Sequence, residues 1–157
     1  MFRKVHMPKT TILLIVDDNR ADSDYIITLL KESAPDRFEI LVAESISKAL
    51  GFIAEREIEI ITLDLYLPDS SGIGTLLSIR AKAPDIPVVV VSGLDDTKVT
   101  KEAMFYGAQA YLVKGEFDGS QLLDAMIKAI TRQSKQSLES ALKRMLKDIS
   151  ESQNLRQ

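Results

Sequence analysis

Residues 87–93 have the sequence PVVVVSG, in which a proline precedes four consecutive valines and a serine and a glycine follow them. Because successive side chains of a strand point to opposite faces, an unbroken apolar run predicts a strand that is covered on both faces. Residues 12–16, ILLIV, have the same character. Strands of this kind are typical of a parallel sheet that lies between two layers of helices.

Strand-like and helix-like segments alternate five times along the chain. The strand-like segments are short and apolar, whereas the helix-like segments place apolar residues three and four positions apart. Five βα units with right-handed crossovers predict an α/β fold, a three-layer doubly wound domain with a five-stranded parallel sheet and five helices. The predicted strands are 11–16, 38–43, 58–63, 86–91 and 110–113, and the predicted helices are 20–31, 45–56, 72–83, 96–106 and a segment from Ser120 onward.

Composition narrows the class of protein. A chain of 157 residues is long enough for one domain with its own core and a short appendage. The net charge of −3 argues against a general nucleic-acid binder, and the absence of cysteine excludes disulfides and thiolate metal ligands. No apolar stretch approaches the roughly 18 residues of a membrane span, and no signal-type apolar core follows the basic N-terminus. We therefore expect a cytoplasmic protein that does not contact nucleic acid or membrane directly.

Polar residues directly follow four of the predicted strands. They are Asp17 and Asp18, Asp64, Ser92 and Lys114. Because the carboxyl ends of parallel strands meet at one edge, where open α/β sheets bind ligands, we expect these side chains to share a site. Each has an ordinary explanation alone, since acids before helices commonly act as N-caps and lysines at strand ends are commonly solvated. It is the set that points to a common site.

The three carboxylates would interact strongly there. Carboxylates about 4 Å apart repel by a few kcal/mol at an effective dielectric near 20, so they raise one another's pKa or recruit a cation. Hard oxygen ligands without histidine or cysteine favour Mg²⁺. Lys114 could pair with Asp64 and then with a phosphoryl group, to which the Ser92 hydroxyl could also donate. The set predicts a small site for phosphate and a divalent metal.

Four segments together resemble the receiver domain of two-component response regulators. They occur in the order and at the spacing of that family, and the resemblance covers about residues 10–133. It implies a flavodoxin-like strand order of 2-1-3-4-5. Residues 1–9 are then a leader, and residues 134–157 a C-terminal amphipathic helix. The segments are LLIVDDN at 13–19, LDLYLPDSSG at 63–72, VVVVSG at 88–93 and AYLVKG at 110–115.

The resemblance implies a role for each acidic residue of the site. Asp64 would be the phospho-acceptor, a carboxylate nucleophile that forms an aspartyl phosphate. Asp18 would bind Mg²⁺ directly and Asp17 through water. Asp64 and the backbone carbonyl of Tyr66 would complete the ligands that the protein supplies.

The resemblance also implies a switch and its partners. Ser92 would be the switch hydroxyl, and Tyr111 the switch aromatic, three residues before Lys114. A histidine kinase or a phosphotransfer protein would donate the phosphoryl group, and a downstream protein or a fused output domain would receive the signal. The output surface would be the fourth helix, fifth strand and fifth helix; that face or the C-terminal helix could also form a homodimer. Such a protein is no enzyme for an external substrate.

The sequence differs from the family pattern at two places, and each difference leads to a prediction. Gly115 stands where the family usually has a proline in a cis bond, and a non-proline cis bond costs about 2.5–4 kcal/mol, so we expect a trans bond or a more mobile loop. Tyr66 and Leu94 occupy positions that influence how fast the phosphoryl group is lost. Both are bulky and non-acidic, and neither can activate water, which predicts slow self-dephosphorylation.

The C-terminal segment leaves several structures open. Residues 131–137, TRQSKQS, contain no apolar side chain, and an apolar stripe of about two heptads then follows. Either one long helix or a break at the polar stretch fits this spacing. The segment could serve as a dimerisation or linker helix, or fold back on the domain. The stripe consists of Leu138, Leu142, Met145 and Ile149.

Two other functions compete with a phosphorylated switch. A pseudo-receiver would keep the fold and act as a protein-binding module without phosphorylation; loss of Asp64 or Lys114 would have favoured it. A metal-dependent phosphoester hydrolase would need a second acid two residues after Asp64, where Tyr66 stands, and a histidine base.

Overall fold

A five-stranded parallel sheet forms the centre of the molecule. The computed structural model describes residues 9–156, so the leader up to residue 8, with His6, lies outside the described residues. The strands of the sheet are β1 (Thr11–Val16), β2 (Phe38–Ala43), β3 (Ile60–Leu63), β4 (Val88–Ser92) and β5 (Ala110–Val113). The strand order is β2-β1-β3-β4-β5, with every neighbouring pair parallel, which confirms the predicted fold and order.

Within residues 9–156, five helices, numbered in chain order, cover the two faces of the sheet. Helices α1 and α5 bury their apolar residues against one face, and α2, α3 and α4 bury theirs against the other. The molecule therefore has the three layers that the strand pattern predicts. The helices are α1 (Arg20–Ser33), α2 (Ile46–Glu55), α3 (Ile73–Lys82), α4 (Thr97–Phe105) and α5 (Gly119–Asn154).

The unbroken apolar runs follow from this burial on both faces. In β1, Leu14 and Val16 belong to the core under α2, α3 and α4, whereas Leu13 and Ile15 belong to the core under α1 and α5. All four are fully buried. A polar residue at any of these positions would lie in an apolar layer, so the sequence cannot alternate.

Some element boundaries differ from the predicted ones. Strand β3 begins at Ile60 rather than Ile58, and β4 extends to Ser92, which pairs in register with Val113. A small hairpin that the sequence pattern did not predict follows β3, with Tyr66–Leu67 antiparallel to Ser70–Ser71. Its turn contains proline and aspartate, two residue types that favour turns.

Helix α5 runs without a break through the polar stretch, over 36 residues. Past Ile130 it leaves the sheet, and the apolar stripe is exposed, from 45% at Leu142 to 62% at Leu138. The side of the helix near the domain is polar, since Gln133, Ser137 and Arg144 line a groove beside it. None of the described helices is both long and apolar enough to cross a membrane.

Candidate functional site

The carboxyl edge of the sheet brings the predicted acidic residues together. Asp17 and Asp18 follow β1, and Asp64 follows β3, the neighbouring strand. Each offers a carboxylate oxygen, and these three oxygens lie within 4.8 Å of one another. Asp17 and Asp64 are buried, at 3% and 7% exposure, whereas Asp18 is exposed. The acids therefore form a half-open cluster that a cation could enter from solvent.

Backbone N–H groups orient the two buried carboxylates. The N–H of Asn19 donates to Asp17 Oδ1 over 2.9 Å, and the N–H of Tyr66 donates to Asp64 Oδ1 over 3.0 Å. Each bond spans two residues, the local turn that aspartate favours. One oxygen of each carboxylate is thus fixed by the chain, and the other faces Lys114.

Lys114 follows β5 and joins three carboxylates. Its Nζ lies 2.8 Å from Asp17 Oδ2, 2.8 Å from Asp22 Oδ2 and 2.7 Å from Asp64 Oδ2. Burial lowers the pKa of Lys114, but the hydrogen bonds to these three acids outweigh burial and hold the pKa above its ordinary value. Burial raises the pKa of Asp17, against the opposing effect of Lys114. The Lys114 ammonium therefore supplies positive charge to the buried carboxylates of Asp17 and Asp64.

Sequence reasoning missed Asp22. It belongs to the first turn of α1, where acids commonly interact favourably with the helix dipole, so its position has an ordinary explanation. The local sequence carries no signal for its contact with Lys114, which is 92 positions away in the chain.

The loop after β5 has a trans backbone. No cis peptide bond occurs within residues 9–156, so the expectation for the bond between Lys114 and Gly115 is confirmed. Gly115 has a φ of 83°, in the left-handed region that favours glycine. The backbone N–H of Lys114 donates to the Ser92 carbonyl over 2.8 Å. This bond holds the base of the lysine beside the end of β4.

Ser92 and Tyr111 both contact the backbone of Leu94. The Ser92 hydroxyl is fully buried and accepts a hydrogen bond from the Leu94 N–H at 3.3 Å. The Tyr111 hydroxyl donates to the Leu94 carbonyl over 2.7 Å, and burial raises the pKa of Tyr111. A movement of the loop after β4 would therefore change the surroundings of both side chains.

A second network fixes the hairpin that follows Asp64. The Asp69 carboxylate accepts hydrogen bonds from the backbone N–H groups of Ile46 (3.0 Å) and Ser47 (3.1 Å). A residue of the hairpin thus caps the first turn of α2. These hydrogen bonds lower the pKa of Asp69. The Thr75 hydroxyl donates to the Leu65 carbonyl over 2.9 Å. The segment that carries Asp64 is thus tied to both α2 and α3.

The fold and the residues at the carboxyl edge of the sheet define the class of protein. It is a doubly wound α/β domain with an acidic site and a lysine at the carboxyl ends of its strands. Residues 13–127 match the family model of the response regulator receiver domain. The chain belongs to that family, and the predicted resemblance is confirmed.

Two curated relatives illustrate the family. The chain is 32% identical over 118 residues to the chemotaxis protein CheY of Listeria monocytogenes, across 74% of this chain and 96% of that protein. It is also 32% identical over 115 residues to a glycerol metabolism activator of Pseudomonas putida, across 73% of this chain. The match spans about half of that activator, 51% of its length.

A solved structure extends the likeness to three dimensions. A response regulator from Burkholderia pseudomallei, with a phosphorylated aspartic acid, a calcium ion and citrate, superposes with a TM-score of 0.64. The sequences are 26% identical, and the alignment covers 85% of this chain and 74% of that one.

Proposed function

We propose that the chain is a phosphorylation-dependent switch of a two-component system in which Asp64 accepts the phosphoryl group. The observation that carries this proposal is the environment of the Asp64 carboxylate. Its Oδ1 is held by the Tyr66 N–H, its Oδ2 contacts Lys114, and the carboxylates of Asp17 and Asp18 lie beside it. A buried, oriented carboxylate next to a cation and further acids is suited to in-line attack on phosphorus.

The donor set fits Mg²⁺. The three carboxylate oxygens, with the backbone carbonyl of Tyr66, would supply hard oxygen ligands and leave room for water and a phosphoryl oxygen. The ion would supply positive charge that neutralises the transferred group. The Burkholderia response regulator contains a calcium ion as well as a phosphorylated aspartic acid, which supports a divalent cation at the proposed site of this chain.

The chain's own residues have separate tasks in the transfer. A carboxylate oxygen of Asp64 forms the new bond to phosphorus while the donor's bond to phosphorus breaks and the donor departs with that electron pair. The donor would be a histidine kinase or a phosphotransfer protein. Lys114, released from its contact with Asp64 Oδ2, binds an oxygen of the transferred group, and the buried Ser92 hydroxyl donates to another.

The free energy of these contacts is comparable to what a switch needs. Two hydrogen bonds to a charged group stabilise by about 1.5–3 kcal/mol each. Shifting a two-state element from 1:99 to 99:1 needs about 5.5 kcal/mol. The Ser92 hydroxyl accepts a hydrogen bond from the Leu94 N–H, and the Tyr111 hydroxyl donates one to the Leu94 carbonyl. Movement of Ser92 toward the phosphoryl group would therefore displace the loop at Leu94 and change the position of Tyr111. The signal would then appear on the face of α4, β5 and α5.

The relatives support two kinds of partner that would receive the signal. The alignment covers nearly all of the CheY relative but only about half of the activator. We therefore propose that the target is either a separate protein or a fused output domain. A homodimer through the α4, β5 and α5 face or through the C-terminal helix belongs to the same proposal, as does a cytoplasmic location.

Phosphorylation in the test tube decides between this switch and a pseudo-receiver. We expect intact-mass spectrometry to show one added phosphoryl group after incubation with a small acyl-phosphate donor and Mg²⁺. Asp64→Ala and chelation of Mg²⁺ should both abolish the addition, whereas Asp24→Ala, at an exposed acid of α1, should leave it unchanged. No addition to the wild type under any condition would favour the pseudo-receiver.

A further inference from the structure

We propose that Asp22 is a positioning residue, which keeps the Lys114 ammonium beside Asp64 when a cation occupies the acidic cluster. Because this role concerns phosphoryl transfer to Asp64, it rests on the proposed function. The contact that carries it is the 2.8 Å approach of Lys114 Nζ to Asp22 Oδ2.

The three partners of Lys114 are not equivalent. The Lys114 ammonium donates hydrogen bonds to Asp22 Oδ2 and Asp64 Oδ2, and its Nζ forms an ion pair with Asp17 Oδ2. Asp17 and Asp64 also belong to the group of carboxylates close enough to share a metal ion, and Asp22 does not. A cation entering that group competes with Lys114 for Asp17 and Asp64. The contact with Asp22 is the one that survives.

The backbone around Lys114 does not replace this contact. The residue that follows is Gly115, at a φ of 83°, and glycine is the most conformationally permissive residue. The lysine side chain is long and flexible, so its ammonium needs a partner to remain in one place. Without Asp22, displacement by a cation would release the ammonium toward solvent.

Asp22, in contrast, lies on a rigid element. The Asn19 side chain caps α1 by accepting the Asp22 N–H at 3.1 Å. The neighbouring Ser23 and Ile26 are buried in the domain. An ammonium anchored to this turn of α1 keeps two N–H groups for the incoming phosphoryl oxygens, which is the oriented geometry that speeds group transfer.

A double-mutant cycle with Lys114 tests whether Asp22 acts through the lysine. We expect Asp22→Ala to slow phosphorylation by a small acyl-phosphate donor, at saturating Mg²⁺, by about 10-fold, as for a misplaced positioning group. In a Lys114→Ala background the same substitution should cause no further loss. Asp24→Ala is the matched control, because it removes the same charge from an exposed position of the same helix.

A second measurement does not depend on phosphorylation. NMR relaxation of the Lys114 Cε methylene, assigned by its absence in Lys114→Ala, should report an ordered side chain with Mg²⁺ in the wild type and in Asp24→Ala. It should report a mobile side chain in Asp22→Ala. Thermal unfolding of each variant shows whether the fold is retained.

Three results would overturn the role of Asp22. They are a rate for Asp22→Ala equal to that of Asp24→Ala, an equal loss in both Lys114 backgrounds, or a Lys114 methylene as ordered without Asp22 as with it. Failure of the proposed function is visible separately, because the wild type itself would then take up no phosphoryl group.

Discussion

Two partly buried cations lie at opposite edges of the sheet, and their partners differ. Lys114, at the carboxyl edge, contacts three carboxylates. Arg80, in the last turn of α3, donates to the backbone carbonyls of Ala83, Ile86 and Gly107. Burial lowers the pKa of Arg80, yet no carboxylate lies within ion-pair distance of it among the residues that the structure describes.

The difference in partners indicates different roles for the two cations. Carboxylates that hold an ammonium can exchange it for another cation, because positive charge is what they require, and the released ammonium can then bind a phosphoryl group. Backbone carbonyls at helix ends and in loops need hydrogen-bond donors, and a planar guanidinium can donate to several carbonyls at once. We therefore infer that Lys114 belongs to the chemistry and Arg80 to the packing of α3 against the loops before β4 and β5.

The largest effect is expected for Lys114→Ala. This variant removes the group that would bind the transferred phosphoryl, and the loss of one such donor typically slows catalysis by about 100-fold or more. Rates of donor-dependent phosphorylation, measured by intact mass, should fall accordingly. Lys98→Ala, at an exposed position of α4, should react at the wild-type rate. A Lys114→Ala rate near that of the wild type would contradict the assignment of Lys114 to the chemistry.

Arg80→Ala should instead affect stability. Loss of the hydrogen bonds from a charged donor to three carbonyls should lower the free energy of unfolding by about 2 kcal/mol, measured by urea denaturation. Arg80→Lys should recover a minor part, because an ammonium cannot span the three carbonyls. Phosphorylation of the folded variant should proceed at the wild-type rate. A slowed rate without a loss of stability would reverse the roles of the two cations.

A smaller effect is expected at the position of Leu94. Its side chain is 38% exposed and cannot activate water, so the phosphorylated wild type should lose its phosphoryl group slowly. Leu94→Glu places a general base there and should shorten the half-life by about 10-fold, whereas Leu94→Gln should change it less. The decay of the phosphorylated mass with time measures both. A wild-type half-life as short as that of Leu94→Glu would refute slow self-dephosphorylation.

The smallest effect is expected for Asp69, whose carboxylate caps α2. Because its pKa is lowered in the folded protein, its stabilisation is present above the ordinary pKa of 3.8 and is lost as the pH falls through the lower, folded value. Asp69→Asn should therefore lower the midpoint of thermal unfolding at pH 7, and the difference from the wild type should shrink below pH 4. A difference that is independent of pH would show that the charge of Asp69 does not stabilise the cap.

The sequence predicted the strands and their ends well because two physical constraints coincide there. Burial on both faces forces unbroken apolar runs, and the site requires polar residues at the point where these runs stop. Asp17, Asp64, Ser92 and Lys114 were found in this way, and the structure brings the acids and the lysine together.

Other features could not be predicted, because their partners are distant in the chain. Asp22 reaches a lysine 92 positions away, and Arg80 bonds to a carbonyl 27 positions away. Both look like ordinary charges at a helix end, since the local sequence gives no information about such contacts. The sequence also leaves the continuity of α5 undecided, because the spacing of a polar stretch fits a helix as well as a break.

Locating the phosphoryl group within the chain tests the central claim most directly. Reduction of the acyl phosphate with borohydride, followed by tandem mass spectrometry of the peptides, identifies the carboxylate that was modified. We predict a single modified residue, Asp64, formed when Mg²⁺ is present and absent from the Asp64→Ala protein. Modification of Asp17, Asp18 or Asp22 instead, or of no residue at all, would contradict the assignment of Asp64 as the phospho-acceptor.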